Sequence, residues 1–420
     1  MANSRPLYYI GDQAIARLVE YGQQPGLSPL ALVADHNTYA ALGQRVEQAL
    51  RAANLEVNTI MLKGEPILAD AGAVMQVLVQ AERRPRTYLA VGSGTITDIV
   101  RFVSHRSGTA FISVPTAPSV DGFTSIGAPL VFDGQKVTLV TQAPLAVFAD
   151  LPTLCAAPHA MLASGFGDML GKFTSIADWQ LGALLWGDAY DPHIARRMQA
   201  AANSCAQCIA EIGRASQPGV RCLMDALVES GFCMLEFGNT NPASGAEHHI
   251  SHYWEMKLIW EGRPPILHGA KVGVACVLVA GYWDQVKRFT PAQVADRLRA
   301  RQAPDRQAQL AVIKSAYGTL ADSVIAGHAR FLDMSPAAYR LLVDQIIEKW
   351  ADILTIADQV PAAQQLADWL GQAGGPVRPE ELGLRADDVA TALQAAHYYR
   401  NRFSILKLGQ MLGILGGGDA

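Results

Sequence analysis

Several protein classes are excluded by what this sequence has little of. Its six cysteines, Cys155, Cys205, Cys208, Cys222, Cys233 and Cys276, are too sparse in 420 residues for a disulfide scaffold. Cys205 and Cys208 form a CxxC, but it sits in the helical run AANSCAQCIAEI without a second pair nearby. Both are read as buried small hydrophobes. There is no basic excess: 34 Lys and Arg face 38 Asp and Glu, a net charge of −4. Nucleic-acid binding, which needs a clustered basic surface, is therefore not expected, and no tail of like charge stands out. No apolar run reaches membrane-spanning length, because Lys271 and the stretch Gly281-Tyr282-Trp283-Asp284 bound VGVACVLVA. The opening MANSRPLYYIGDQAI lacks a basic segment followed by an apolar core, so no signal peptide is expected in it. A cytoplasmic location is expected.

Half of the residues are hydrophobic and 17% are charged, which suits a packed globular protein. The length favours two domains sharing a cleft. Up to about residue 150 the pattern alternates. Strands are expected at 31–34, 57–62, 87–91 and 110–114, with helices at 37–53, 69–82 and 95–104 between them. Such alternation predicts a mostly parallel sheet with helices on its faces. Residues 127–142 read as a hairpin turning at Asp133-Gly134. Beyond Asp150, segments rich in Ala, Leu and Met at helical spacing predict an all-helical second domain, with helices at 158–185, 193–214, 220–237, 291–317 and 337–360. The expected domains are 1–151 and 152–420. The GGGDA tail is expected to fray.

Two constellations carry chemistry. The strand at 87–91 ends in Val91-Gly92-Ser93-Gly94-Thr95-Ile96-Thr97-Asp98 and enters a helix. Glycines at such a turn let the backbone approach a phosphate, and the helix start supplies free N–H donors. The third glycine of a regular dinucleotide fingerprint would fall at Thr97, so the turn alone equally fits a plain tight turn. Asp35, after the first strand, can accept both hydroxyls of an adenosine ribose or simply cap the next helix. The loop Pro115-Thr116-Ala117-Pro118-Ser119-Val120-Asp121-Gly122 follows a neighbouring strand and belongs to the same expected crevice.

The sharper signal lies downstream. Asp168 stands in GFGDMLGK, His248 and His252 in EHHISH, and His268 in LHG. On a helix over 246–259, His248 and His252 lie one turn apart on one face, and His268 can return to it after the EGRPP turn. His249 points about 100° away and is not assigned as a ligand. One carboxylate and two or three imidazoles suit a divalent transition metal such as zinc, iron or nickel. Three protein ligands leave a position for a substrate oxygen, as Lewis-acid catalysis requires. Hydrolase chemistry has little support, with no GxSxG and no cysteine near the histidines.

In order, VGSGTITDI, SVPTAPSVDGFTS, GFGDMLGKFTSIADW, SGAEHHISHYWE and LHGAKVGVA resemble sn-glycerol-1-phosphate dehydrogenases. These belong with iron-containing alcohol dehydrogenases, glycerol dehydrogenases and dehydroquinate synthases. The resemblance spans roughly residues 30 to 285, and SVDGFTS and EHHISHYWE carry its specificity. It implies a dehydroquinate synthase-like fold: an N-terminal α/β dinucleotide-binding domain and an all-α C-terminal domain with one divalent metal in the cleft. Carried over, the metal ligands are Asp168, His248 and His268. Asp121 binds substrate hydroxyls, as does Asp168. Asp35, Gly92, the run Gly94, Thr95, Ile96, Thr97 and Asp98, then Thr116, Ala117, Pro118, Ser119 and Ser125 hold NAD(P). Ser125 follows from the resemblance alone. The chain is longer than archaeal-type enzymes of the family and fits bacterial relatives with added C-terminal helices. A dimer or larger is implied.

The expected reaction interconverts sn-glycerol 1-phosphate and dihydroxyacetone phosphate, with hydride moving between C2 and the nicotinamide. His252 is the candidate for relaying the hydroxyl proton, with support of the site as its other role. Lys172 and Lys271 are candidates for the substrate phosphate, unless they are solvated surface lysines. The alternatives are a glycerol dehydrogenase, a dehydroquinate-synthase-like cyclase, disfavoured by too few clustered basic residues, and an idle nucleotide-binding protein.

Overall fold

The computed structural model of the chain describes residues 5–415, so the GGGDA tail lies outside the described residues. Two compact units emerge. One comprises Met1–Met169, Ala200–Thr240 and Gln372–Gly375, the other Leu170–Gln199, Asn241–Gly371 and Pro376–Ala420.

The first unit is built on six parallel strands: β1 (Leu7–Gly11), β2 (Leu30–Asp35), β3 (Val57–Leu62), β4 (Thr87–Gly92), β5 (Phe111–Pro115) and, after a hairpin, β8 (Ala146–Asp150). Their order across the sheet is β1-β8-β5-β4-β2-β3. Strand residues alternate between two cores. Leu30, Leu32, Ala34, Leu89 and Val91 pack on one face, and Ala31, Val33, Tyr88 and Ala90 on the other. Burial on both faces explains why these strands read as continuous apolar runs. Helix Gly94–Arg106 covers the second face through Ile96, Ile99, Val100 and Val103.

All four expected strands are present. So is the hairpin, β6 (Gly127–Phe132) and β7 (Gln135–Val140), paired antiparallel. Its turn needs positive φ twice, met by Asp133 at 50° and Gly134 at 74°. The helix expected at 37–53 is present in three pieces: a short turn His36–Thr38, a π-helical turn Tyr39–Gly43 and Gln44–Ala52. Sequence periodicity missed β1, β8 and the helix Ala14–Gly22. That helix buries Ala14, Leu18 and Gly22 at helical spacing.

The long helices expected in the C-terminal part are interrupted. The segment 291–317 divides into Pro291–Arg299 and Arg306–Tyr317, around Pro304. Gly171 separates His159–Leu170 from Lys172–Trp186, and Lys349 separates Pro336–Glu348 from Trp350–Ala357. Among the described residues no helix is long and apolar enough to cross a membrane. Cys205 is buried as expected, whereas Cys208 is half-exposed and terminates the helix Pro192–Gln207, so the buried reading fails for it.

Candidate functional site

In the first unit, β2, β4 and β5 are neighbours, so Asp35, Gly92 and Pro115 share one edge of the sheet at the carboxyl ends of their strands. Thr116 N–H donates to Gly92 O at 3.3 Å, tying the two loops together. A Cβ on Gly92 would lie 2.5 Å from Ile96, and one on Gly94 would lie 2.8 Å from Val120. Only glycine permits this close turn into the helix start. The cradle therefore suits a phosphate. Thr97 is buried with its hydroxyl unpartnered.

Asp35 is a helix cap: its Oδ1 accepts Thr38 N–H at 2.8 Å, and Thr38 Oγ1 accepts Asp35 N–H at 3.0 Å. This occupies one carboxylate oxygen at the place where a ribose contact is expected.

Asp98 meets the fully buried Arg101 at 2.8 Å. Arg101 also donates to the carbonyls of Gly122, Phe123 and Gly127, the last at 2.7 Å. One guanidinium thus fixes the loop that carries Asp121 and Ser125. Removing it strands the Asp98 charge and three carbonyls, so Arg101→Ala is expected to lose about 3–5 kcal/mol of stability. An unchanged urea midpoint would contradict that role. Ser125 donates its hydroxyl to Gly122 O at 3.2 Å.

Asp121 is held from two sides. Its N–H donates to Asp168 Oδ2 at 3.0 Å, and Ser230 donates to its Oδ2 at 2.8 Å. Ser230 was not foreseen. Its neighbour Gly231 lets helix Gln217–Phe237 approach so closely that a Cβ would lie 2.1 Å from Thr124 Oγ1. A glycine inside a strong helical pattern was the available signal. Gly165 does the same for helix His159–Leu170, where a Cβ would meet Pro118 O at 1.9 Å; Ser164 donates to Ser119 O at 3.2 Å.

In the second unit, helix Ala246–Trp260 carries His248 and His252, and His268 opens helix His268–Val286. The three rings cluster, with centroids 5.4 Å apart for His248–His268 and His252–His268 and 6.0 Å for His248–His252. His249 lines a small cavity with Asp178, Ser244 and Arg402.

Glu247 was missed by sequence reasoning. It is fully buried, and His248 Nδ1 meets its Oε1 at 2.7 Å. A carboxylate only accepts, so Nδ1 carries the proton and Nε2 keeps its lone pair for a metal. Burial opposes charge on Glu247. His248, the Gly245 N–H at 2.6 Å and the Thr174 hydroxyl at 2.7 Å outweigh it and hold the carboxyl below its usual range.

Lys172 and Lys271 are not solvated: both are buried to within 1%. Lys172 donates to Ala243 O at 3.1 Å, and Lys271 pairs with Glu255 at 3.0 Å.

Asp168, His248 and His268 form one group of residues that could hold a metal ion. His252, Glu255 and His268 form a second, with ligand atoms within 4.8 Å of one another. In the second group Glu255 is already neutralised by Lys271, whereas Glu247 orients His248 in the first. One oxygen and two nitrogen donors fit a divalent transition metal.

Residues 9–158 match the family model described as iron-containing alcohol dehydrogenase. The chain is 38% identical over 400 residues to a glycerol-1-phosphate dehydrogenase [NAD(P)+] of Halalkalibacterium halodurans, covering 94% of this chain and 90% of that one. It is 37% identical to the Bacillus subtilis protein of the same name, covering 95% and 89%. Its fold is that of the glycerol dehydrogenase from Schizosaccharomyces pombe, with a TM-score of 0.63 at 15% identity over 98% of this chain and 89% of that one.

Proposed function

The chain belongs to the glycerol-1-phosphate dehydrogenases, and from that premise we propose how its residues interconvert sn-glycerol 1-phosphate and dihydroxyacetone phosphate. The observation that carries the reading is the pairing of His248 and His268, rings 5.4 Å apart, with His248 Nδ1 held by Glu247 at 2.7 Å. We assign Asp168, His248 and His268 as the metal ligands. When bound, the cation supplies Lewis acidity at the substrate's C2 oxygen, and NAD(P) carries the hydride.

The protein's own part is placement and proton handling. Ser230 fixes Asp121 Oδ2, so Asp121 presents a set carboxylate to substrate hydroxyls. His252 relays the hydroxyl proton; a positive charge arriving there faces Glu255, 3.9 Å from Nδ1. The cofactor phosphates rest on the Gly92–Thr95 turn and the start of its helix, with Ile96, Thr97 and Asp98 completing the turn. Thr116, Ala117, Pro118, Ser119 and Ser125 line the neighbouring loop, and Asp35 serves the ribose. We keep the functional division at 1–151 for nucleotide and 152–420 for metal and substrate.

The test is oxidation of NADH by metal-replete protein, followed with dihydroxyacetone phosphate and with dihydroxyacetone. Faster turnover of the phosphorylated triose is expected, and preference for the free triose would reassign the chain as a glycerol dehydrogenase. Glu247→Gln keeps the volume but weakens the hold on His248, and is expected to lower metal affinity about 10–100-fold. Chelator competition measures this, and unchanged affinity would remove Glu247 from the site.

We also propose a cytoplasmic homo-oligomer, a dimer or larger. Met75, Leu78 and Val79 are exposed together on helix Ala71–Gln80 at 57%, 43% and 75%, an apolar face suited to a second copy. Light scattering on the eluting protein decides this.

A further inference from the structure

The CxxC of the first unit has a third thiol beside it. Cys205 lies in the last turn of helix Pro192–Gln207, and Cys208 follows that helix directly. The short helix Ile209–Gly213 comes next, and helix Gln217–Phe237 returns past all three. Gly219 permits the close return, since a Cβ there would lie 2.3 Å from the Glu211 carbonyl carbon. Three residues later, Cys222 reaches the end of the first helix. Its Sγ lies 3.4 Å from Ser204 Oγ and 3.5 Å from Ser204 O. The same carbonyl oxygen accepts the Cys208 N–H at 3.1 Å. The side chains of Cys205 and Cys208 both hydrogen-bond to that of Cys222.

The three sulfurs are not equivalent. Hydrogen bonds from Cys205, then from Cys208 and Ser204, hold the Cys222 thiol below its usual range, against burial and the Asp225 charge. The partners move the other way. The bond to Cys222 and burial push Cys205 up, and burial and the bond to Cys222 push Cys208 up. One sulfur is thus favoured as thiolate while its two neighbours keep their protons. Cys222 and Cys208 are half-exposed, and Cys205 is buried behind them. A reachable thiolate beside protonated thiols is what a peroxide oxidises and a second thiol then captures. Elsewhere, Cys233 and Cys276 are buried, and burial with the Asp12 charge pushes the Cys155 thiol up.

We propose that Cys222 is the peroxide-reactive thiol of this chain and that it closes a reversible disulfide onto the Cys205–Cys208 pair. The thiolate attacks one peroxide oxygen and the O–O bond breaks. The departing oxygen leaves as hydroxide or alkoxide and takes a proton from water, and Cys222 becomes a sulfenic acid. A sulfur of the pair then attacks the Cys222 sulfur. The S–O bond breaks, and hydroxide leaves with the attacking thiol's proton as water. Two thiols have lost two electrons and the peroxide has gained them. A dithiol reductant reverses the step. Neither metal nor nicotinamide takes part, so the site stands apart from the dehydrogenase reading.

The experiment treats full-length, zinc-loaded protein with hydrogen peroxide. It compares wild type, Cys222→Ser and the double variant Cys205→Ala with Cys208→Ser, each checked by circular dichroism. Wild type is expected to lose two of its six free thiols and to regain them with dithiothreitol. Peptide mapping should link Cys222 to Cys205 or Cys208 within one chain. The double variant should stop at the sulfenic acid and carry a dimedone adduct on Cys222. Cys222→Ser should lose neither thiol of the pair. Iodoacetamide at pH 7 should label Cys222 about 10-fold faster than Cys155. Mapping and labelling of wild type need no substitution, so they decide even where a variant fails to fold. A disulfide that omits Cys222, a link between two chains, dimedone on another cysteine, or equal labelling of Cys222 and Cys155 overturns the proposal.

Discussion

Replacing His268 by alanine is expected to yield folded protein that has lost its metal and at least about 10³-fold of its kcat/KM. His268 stands at the first position of its helix and is only partly buried. Its loss removes a ligand without opening a core cavity, so the melting profile should stay close to that of wild type measured without metal. Elemental analysis is the direct check, and wild-type stoichiometry in this variant would sink the assignment. Because His268 belongs to both candidate donor groups, a second pair of variants is needed. His248→Ala strips the metal if Asp168, His248 and His268 hold it. His252→Ala strips it if Glu255 and His252 do. Glu255 is paired with Lys271 at 3.0 Å, so metal binding there would have to displace that ion pair. His252→Ala should therefore keep the metal and lose rate.

The local signals were legible because each is written in a short stretch of chain. Alternation of buried strands and amphipathic helices announced four of the six parallel strands, and Asp133-Gly134 announced the hairpin turn. The glycines of Gly92-Ser93-Gly94 and the spacing of His248, His252 and His268 marked both constellations. What escaped depends on distant partners. The strands β1 and β8 are five residues each and are strands because they pair with each other and with β5. Glu247 reads as a solvated acid until Gly245 lets it fold back beside His248, where a Cβ would lie 2.9 Å from Glu247 Oε2. Lys172 and Lys271 read as phosphate anchors or solvated surface charges for the same reason, since the carbonyl and the carboxylate that receive them come from other turns and helices. Tyr399 reaches His249 and His252 from about 150 positions away, and no spacing rule connects them.

The second unit should also be unusually sensitive to acid. His328 and Lys407 are fully buried, and Lys407 Nζ meets His328 Nε2. The amine also lies 4.2 Å from the centroid of the Phe331 ring. Burial, reinforced by Lys407, holds His328 down at about 2. Burial likewise holds His397 and Lys407 well below their usual values. For the two histidines the unfolded chain binds a proton at acid pH that the native chain resists. Stability must then fall as pH drops below the ordinary histidine value of about 6.5. For His328 alone, going from pH 7 to pH 5 costs about 2 kcal/mol. Lys407 disfavours the native state throughout the range below about 10.5, so Lys407→Met is expected to raise the urea midpoint at pH 7. The double variant His328→Phe with Lys407→Met removes both titrating groups while keeping the volume filled. It should shrink the loss between pH 7 and pH 5 by at least about 2 kcal/mol relative to the parent, the His328 share. Metal ligands titrate in both proteins and cancel in that difference. An equal loss in parent and double variant would mean that His328 is protonated in the folded chain, and that the buried pair is not what acid attacks.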